Sequence, residues 1–269
     1  MKYKILIAGA ALAAMAVSCS RTASPDTTIS FSSFHQAQNY RLEGSAKAYE
    51  TDSDLVFLCE ARILMPEVLY GHNADSLRNE ILKVGFDTVG QQHEELIGEV
   101  LRHAASEIGF TPVAVNDTVT GNNDGCFIVD GDVRNMNQRT FAYSVTVSSY
   151  QPYAAHGMYT TEYINYDLRE GRIFRLDELV TAEGLEKLPD MLRKTARGMR
   201  NFVGPTDLTA LPADNNFYVD LSGNLIFVYQ PYEIASYAQG IIEVPQPSYQ
   251  ISEYLTPYGM RLLLGTDDR

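Results

Sequence analysis

Between residues 126 and 168 the chain alternates bulky side chains with smaller or polar ones, and this limits the fold more than any other feature. Phe141, Tyr143, Val145 and Val147 occupy every second position of one run, and Tyr159, Thr161, Tyr163 and Asn165 every second position of the next. A period of two puts each set on one face of an extended strand. The spans 126–135, 139–150 and 159–168 therefore read as three consecutive strands. The short links between them predict an antiparallel sheet.

The rest of the chain adds helices to that sheet. Spans 40–49 and 54–65 read as strands, the first by alternation and the second as a buried, β-rich run. Asn73-Ala74-Asp75-Ser76 offers a cap for a helix through Leu77, Ile81, Leu82 and Val84. Apolar positions from Leu96 to Ile108 recur at three and four, which predicts an amphipathic helix over 92–108. The Asn- and Gly-rich span 116–125 reads as a hairpin link. Beyond Leu176 the texture is helical over 177–180 and 185–202, with Pro189 as a break point. The cations Lys187, Arg193, Lys194, Arg197 and Arg200 there read as a solvated helix face. Spans 217–220 and 225–230 flank a turn and predict a β-hairpin, 241–244 a strand, and 249–255 a terminal helix or strand. The fold class expected is α+β: two packed α+β subdomains, 39–164 and 165–269, with mainly antiparallel sheets and flanking helices.

The N-terminus sets the compartment. Lys2 and Lys4 precede a run of apolar and small residues from 5 to 17, too short to span a bilayer but of signal-peptide length. Ala16-Val17-Ser18-Cys19 then resembles the lipobox of bacterial lipoproteins. Residues 1–18 are expected to be a lipoprotein signal peptide. Cys19 is the expected lipidation site, and the Ser- and Thr-rich span 19–38 a flexible tether. Arg21, and not an aspartate, follows at the second place after Cys19, which points to the outer membrane facing the periplasm. The 269 residues are 45% hydrophobic and 20% charged, which excludes a disordered chain and a multispanning membrane protein. Their formal net charge is −13, and loss of the leader removes two lysines. Such a chain repels nucleic acid and attracts basic partners. Cys59 and Cys126 form an even pair in an oxidising compartment. They would bond as a disulfide if their strands are neighbours, or else lie as two separately buried thiols.

Motifs for catalysis and metal binding are missing. His93-Glu94-Glu95-Leu96-Ile97 has Ile97 where a zinc helix needs a second histidine. His93 and His103 do not share a helix face. Neither Cys59 nor Cys126 sits in a basic turn of the kind that activates a thiol. No metal site and no cofactor is expected.

Two segments stand apart. The first runs Tyr150-Gln151-Pro152-Tyr153-Ala154-Ala155-His156-Gly157, leading to Asp167-Leu168-Arg169-Glu170-Gly171 and on to Leu176-Asp177-Glu178-Leu179. The second runs Gln230-Pro231-Tyr232-Glu233-Ile234-Ala235-Ser236-Tyr237-Ala238-Gln239-Gly240. They resemble a pair of linked extracytoplasmic domains of unknown function found in RsiV-type anti-sigma factors, whose outer part binds lysozyme. The first of the pair also precedes the catalytic domain of PdaC-type peptidoglycan deacetylases. Ala154 stands where the family has glycine, and Ser236 where it has a second proline. The resemblance covers about residues 40–258. The chain lacks their sigma-binding and deacetylase parts, so the resemblance implies a stand-alone, lipid-anchored sensor or binding protein for lysozyme or peptidoglycan.

On their own chemistry, these residues leave more than one role open. His156 lies among small residues and has one donor and one acceptor, for a loop carbonyl or for a ligand. Tyr150, Tyr153, Tyr232 and Tyr237, with Glu233, suit either a seam between the two halves or a rim for a sugar or protein. Asp167 and Gly171 suit a hairpin turn. The enzymatic alternative is a cell-wall hydrolase or transferase using His156 with Glu233 or Asp167.

Overall fold

The computed structural model describes residues 4–6, 26–90, 93–115, 124–199 and 208–266. Cys19 and its lipobox lie outside the described residues, as does most of the span 116–125. Chain order begins with a three-residue strand, β1 (Lys4–Leu6), followed by β2 (Ile29–Glu43). The second half of the expected tether is thus strand. Phe31 is buried, and Ile29 and Phe34 pack partly buried against the same core despite the intervening serines. The strand expected over 40–49 stops at Glu43. Gly44, at φ 87°, turns the chain into the one-and-a-half-turn helix α1 (Ser45–Tyr49). Ser45 and Asp54 hold this corner: Ser45 Oγ donates to Leu42 O at 2.6 Å, and Asp54 Oδ1 accepts the Gly44 and Ala46 N–H groups at 3.1 and 3.0 Å.

The main sheet continues with β3 (Val56–Leu69), β4 (His72–Asn73) and β5 (Thr111–Val115). The meander read from sequence follows: β6 (Gly125–Met136), β7 (Thr140–Tyr150), β8 (Met158–Asp167) and β9 (Arg172–Phe174). Among the described residues the order is β1-β2-β3-β6-β7-β8-β9, with β4 beside β3 and β5 beside β2. All neighbours are antiparallel except β3 and β6, which run parallel. That pairing needs a crossover, and helices α2 (Asp75–Phe86) and α3 (His93–Ser106) supply it. Both lie on one face of the sheet. Leu77, Ile81 and Leu82 of α2, and Ile97, Leu101 and Ala105 of α3, pack on Phe57, Cys59, Ala61, Ile63 and Val129. Each buried Leu or Ile among them contributes about 1.5–3 kcal/mol by leaving water.

A second core begins at Phe174. Helices α4 (Leu176–Leu179) and α5 (Ala182–Gly198) pack on a three-stranded antiparallel sheet of β10 (Phe217–Val219), β11 (Leu225–Tyr229) and β12 (Ile242–Gln246). Pro189 sits inside α5 without ending it, and Gly184, Leu188, Leu192 and Ala196 form its buried stripe. In place of the expected element over 249–255 stands a 3-10 helix, Ser248–Tyr254, and the short α6 (Pro257–Gly259) widens into a last turn at Met260–Leu264. The fold is α+β. The boundary expected between 164 and 165 falls inside β8; the change of core comes between Leu168 and Phe174.

Candidate functional site

Strand β8 has a free side where it passes beyond β9, and the second unit closes it with side-chain amides. Gln230 Oε1 accepts the Thr161 N–H at 3.0 Å while its Nε2 donates to the Thr161 carbonyl at 2.7 Å. Asn216 does the same one step along, accepting from Tyr163 N at 3.0 Å and donating to Thr161 O at 2.7 Å. Asn165 answers from β8, donating to Phe217 O at 2.8 Å and accepting from Val219 N at 3.1 Å. These amides replace strand partners for buried backbone groups that would otherwise cost about 1–3 kcal/mol each. Beside them Tyr163 and Tyr218 pack with ring centroids 4.7 Å apart. Burial, then the nearby Glu243, pushes the Tyr163 hydroxyl up to about 12.

The seam ends at His156. After Gln230 the chain turns sharply: Glu233 N–H donates to Gln230 O at 3.0 Å, and Tyr232 adopts φ 71°. Glu233 fixes that turn with both carboxylate oxygens, accepting from Gln230 N at 2.7 Å and Ala213 N at 2.6 Å. The turn carries Tyr232 to the β7–β8 loop, where its hydroxyl lies 3.1 Å from His156 Nε2. His156 Nδ1 lies 2.8 Å from Gly157 O. A carbonyl only accepts, so Nδ1 carries the proton, and in the neutral ring Nε2 accepts from the Tyr232 hydroxyl. Tyr237 stacks on the imidazole at 4.2 Å and 24°, and Tyr159 meets Tyr237 edge-on at 5.9 Å. Gly240, at φ 68°, closes the turn that holds Tyr237; a β-carbon there would lie 2.9 Å from the Tyr159 hydroxyl. The result is a surface cluster of one imidazole and three phenol rings, with His156 and Tyr232 exposed.

The other candidates separate. Tyr150 donates to Ala154 O at 3.2 Å and braces the loop. Tyr153, 60% exposed and at φ 60°, stacks on Tyr49 at 4.6 Å, and Tyr49 meets Phe110 at 5.8 Å. Tyr49, Phe110 and Tyr159 were not singled out from sequence. Tyr159 was legible only as a strand residue, and Tyr49 only once α1 had replaced the expected strand. Cys59 and Cys126 are free thiols on adjacent strands. The register pairs Cys126 with Leu58, so Cys59 projects to the opposite face and no disulfide joins them. Burial pushes the Cys59 thiol up to about 12 and also raises Cys126.

Asp167 holds the far end of β8. Its Oδ1 accepts from Arg169 N and Glu170 N at 2.8 and 3.0 Å, and its Oδ2 from the Tyr258 hydroxyl and Arg261 at 3.0 and 3.2 Å. With Gly171 at φ 68° it shapes the β8–β9 turn. Between the units lies a cleft of about 260 Å³ lined by Glu80, Glu162, Asp177, Asp214 and Arg175. Burial, then the charges of Asp214 and Glu80, raises the Glu162 carboxyl above its ordinary value against the opposing pull of Lys83. Among the described residues no group of three or more His, Cys, Asp or Glu side chains is placed to hold a metal.

Residues 175–247 match a family described as a protein of unknown function, DUF3298. No curated protein matches the chain. A crystal structure of a DUF3298 family member from Bacteroides fragilis NCTC 9343 is similar to it at a TM-score of 0.66 and 19% identity, covering 87% of this chain and 96% of that one. A DUF3298 family protein from Pseudomonas aeruginosa PAO1 is similar at a TM-score of 0.50 and 14% identity, over 84% and 94% of the two chains. At such identities the likeness is one of fold, and it extends well beyond residues 175–247 to both units.

Proposed function

We propose that this is a lipid-anchored, non-catalytic binding or sensor protein of the bacterial cell envelope. In this reading it is held at the outer membrane through Cys19 and takes lysozyme or cell-wall material at the His156–Tyr232–Tyr237 cluster. The observation that carries the reading is the cluster itself. Stacked aromatic rings with polar tips, standing at the surface on two turns braced by hydrogen bonds, suit a preformed contact surface. The negative charge of the chain favours a basic partner through faster encounter. The RsiV-type resemblance of the two segments supports the same partner class.

The hydrolase alternative asks His156 to work with Glu233 or Asp167. His156 instead bonds a carbonyl and a phenol. The Glu233 carboxylate holds two backbone N–H groups, and Asp167 is buried beneath Tyr258 and Arg261. Neither acid orients the imidazole as a general base requires. The deciding experiment measures lysozyme and muropeptide binding to the purified protein beside a product assay on peptidoglycan. Binding without product supports the proposal; product release that His156→Ala abolishes would establish the alternative.

A further inference from the structure

The sheet's two long edges are finished differently. On β8 the second unit supplies the amides described above. On β2 the outer side is paired with β5 over Asn39–Glu43 and with β1 over Ser30–Ser32, and among the described residues nothing pairs with it between Ser33 and Gln38.

The register shows which groups are open. Leu42 N–H donates to Leu55 O at 2.9 Å, so Leu42 and Leu55 are a hydrogen-bonded pair across β2 and β3. The β2–β3 register runs without a shift from Phe31 to Arg41. Antiparallel pairing alternates, so Phe34, Gln36, Gln38 and Tyr40 turn their backbone groups toward β3. Ser33, His35 and Ala37 turn theirs outward. This open stretch carries no proline and no lysine, the residues with which proteins blunt an edge. Its one titratable side chain, His35, pairs with Glu60 at 2.9 Å.

The edge borders a pocket of about 350 Å³ between β2 and the start of α3. Phe34, Met65 and Ile97 give it an apolar floor, and Glu94 and Glu95 stand on its rim. Glu67 lines the adjoining hollow. Arg78 in that hollow is paired with Asp75 and donates to Pro66 O at 3.1 Å, and Arg62, opposite His35 on β3, is paired with Asp130. Burial, then Arg78, lowers the His93 pKa and so disfavours a positive charge there. The rim is therefore acidic.

We propose that the β2 edge from Ser33 to Ala37 is a strand-addition site for an extended segment of a partner protein. That segment carries an aliphatic side chain for the Phe34–Met65–Ile97 pocket and basic residues for the Glu95 rim. The leader seats such a sequence next door before it is removed, for Lys4–Leu6 pairs antiparallel with Ser30–Ser32. Main-chain bonds give affinity in this mode, and the pocket selects the side chain.

The test uses the protein as purified from cells and the capped hexapeptide Lys-Tyr-Lys-Ile-Leu-Ile, with a second peptide in which both lysines are glutamate. Adding the first peptide is expected to slow amide exchange at Ser33, His35 and Ala37 and to leave Phe34 and Gln36 unchanged, since those already bond to β3. Ala37→Pro removes one outward N–H, which an edge strand tolerates, and should abolish that protection. Glu95→Lys alters only the exposed rim and should weaken binding about five-fold. Uniform or absent protection, or equal binding of both peptides, would overturn the proposal. So would dimerisation through these amides without peptide, which would give the edge to a second copy of the chain.

Discussion

Replacing Asp167 with alanine should cost more stability than any surface change. Its side chain is fully buried and holds four donors from two parts of the chain: the backbone N–H groups of Arg169 and Glu170, the Tyr258 hydroxyl and the Arg261 guanidinium. Burial, then the Asp167 charge, pushes the Tyr258 hydroxyl far up, so it remains a donor at every working pH. Breaking a buried pair by removing one partner costs about 3–5 kcal/mol, because the other charge is left unpaired. Arg261 is 14% exposed and keeps Glu170 at 2.5 Å, which puts the expected loss at the lower end, about 3–4 kcal/mol. For a chain of this size that lowers Tm by roughly 6–16 °C. Asp167→Asn keeps the acceptor for the two N–H groups and should lose about half as much. Arg261→Met in the alanine background should recover part of the loss by removing the stranded cation. The chain has no tryptophan, so urea titration followed by tyrosine fluorescence and circular dichroism is the assay. A loss under about 1 kcal/mol for Asp167→Ala would refute the claim that this carboxylate ties β8 to the C-terminal turns.

Three further outcomes are expected. The Glu162 carboxyl is raised in the folded state, so its stabilising contribution is full below the unfolded glutamate pKa of about 4.3 and is lost as pH rises through the folded value. Glu162→Gln should therefore stabilise at pH 7 and lose that advantage near pH 4, as paired urea titrations would show. Cys59 should resist a thiol reagent at pH 8 in the native protein, Cys126 should react slowly, and both should react in urea; identical mobility with and without reductant confirms that they are unpaired. Cys19→Ala should leave an unprocessed or soluble form on detergent partitioning, and a variant that stays membrane-bound and normally processed would contradict the lipobox reading.

The regular parts of the fold were legible because their periods are long and clean. The α3 stripe from Leu96 to Ala105 and the alternation of β7 and β8 each run for several repeats. The errors came where composition masked period. Serines at 30, 32 and 33 make the start of β2 look like linker, although Phe31 is buried and Ile29 and Phe34 pack against the same core. Pro189 suggested a break, but the buried stripe of α5 continues through it. The parallel β3–β6 pairing that separates Cys59 from Cys126 depends on a crossover, which no local pattern reveals. At the candidate site the motif residues were visible, but their grouping was not. Tyr153 is three residues from His156 and yet stacks on Tyr49, while Tyr232 and Tyr237 reach His156 from another sheet. The amides of Asn216 and Gln230, which make that approach possible, resemble ordinary polar residues in a string of letters.

The central claim is that the His156–Tyr232–Tyr237 cluster is a contact surface and not only a brace between the two units. The direct measurement is dissociation and association of lysozyme on the immobilised protein at several salt concentrations, with Tyr237→Ala and His156→Ala beside the parent. A central aromatic anchor is worth about 2 kcal/mol or more, so Tyr237→Ala should raise the dissociation rate roughly thirty-fold. The salt dependence of association should hardly change, because it reflects total charge. Unchanged dissociation in both variants, with melting curves matching the parent, would contradict the account.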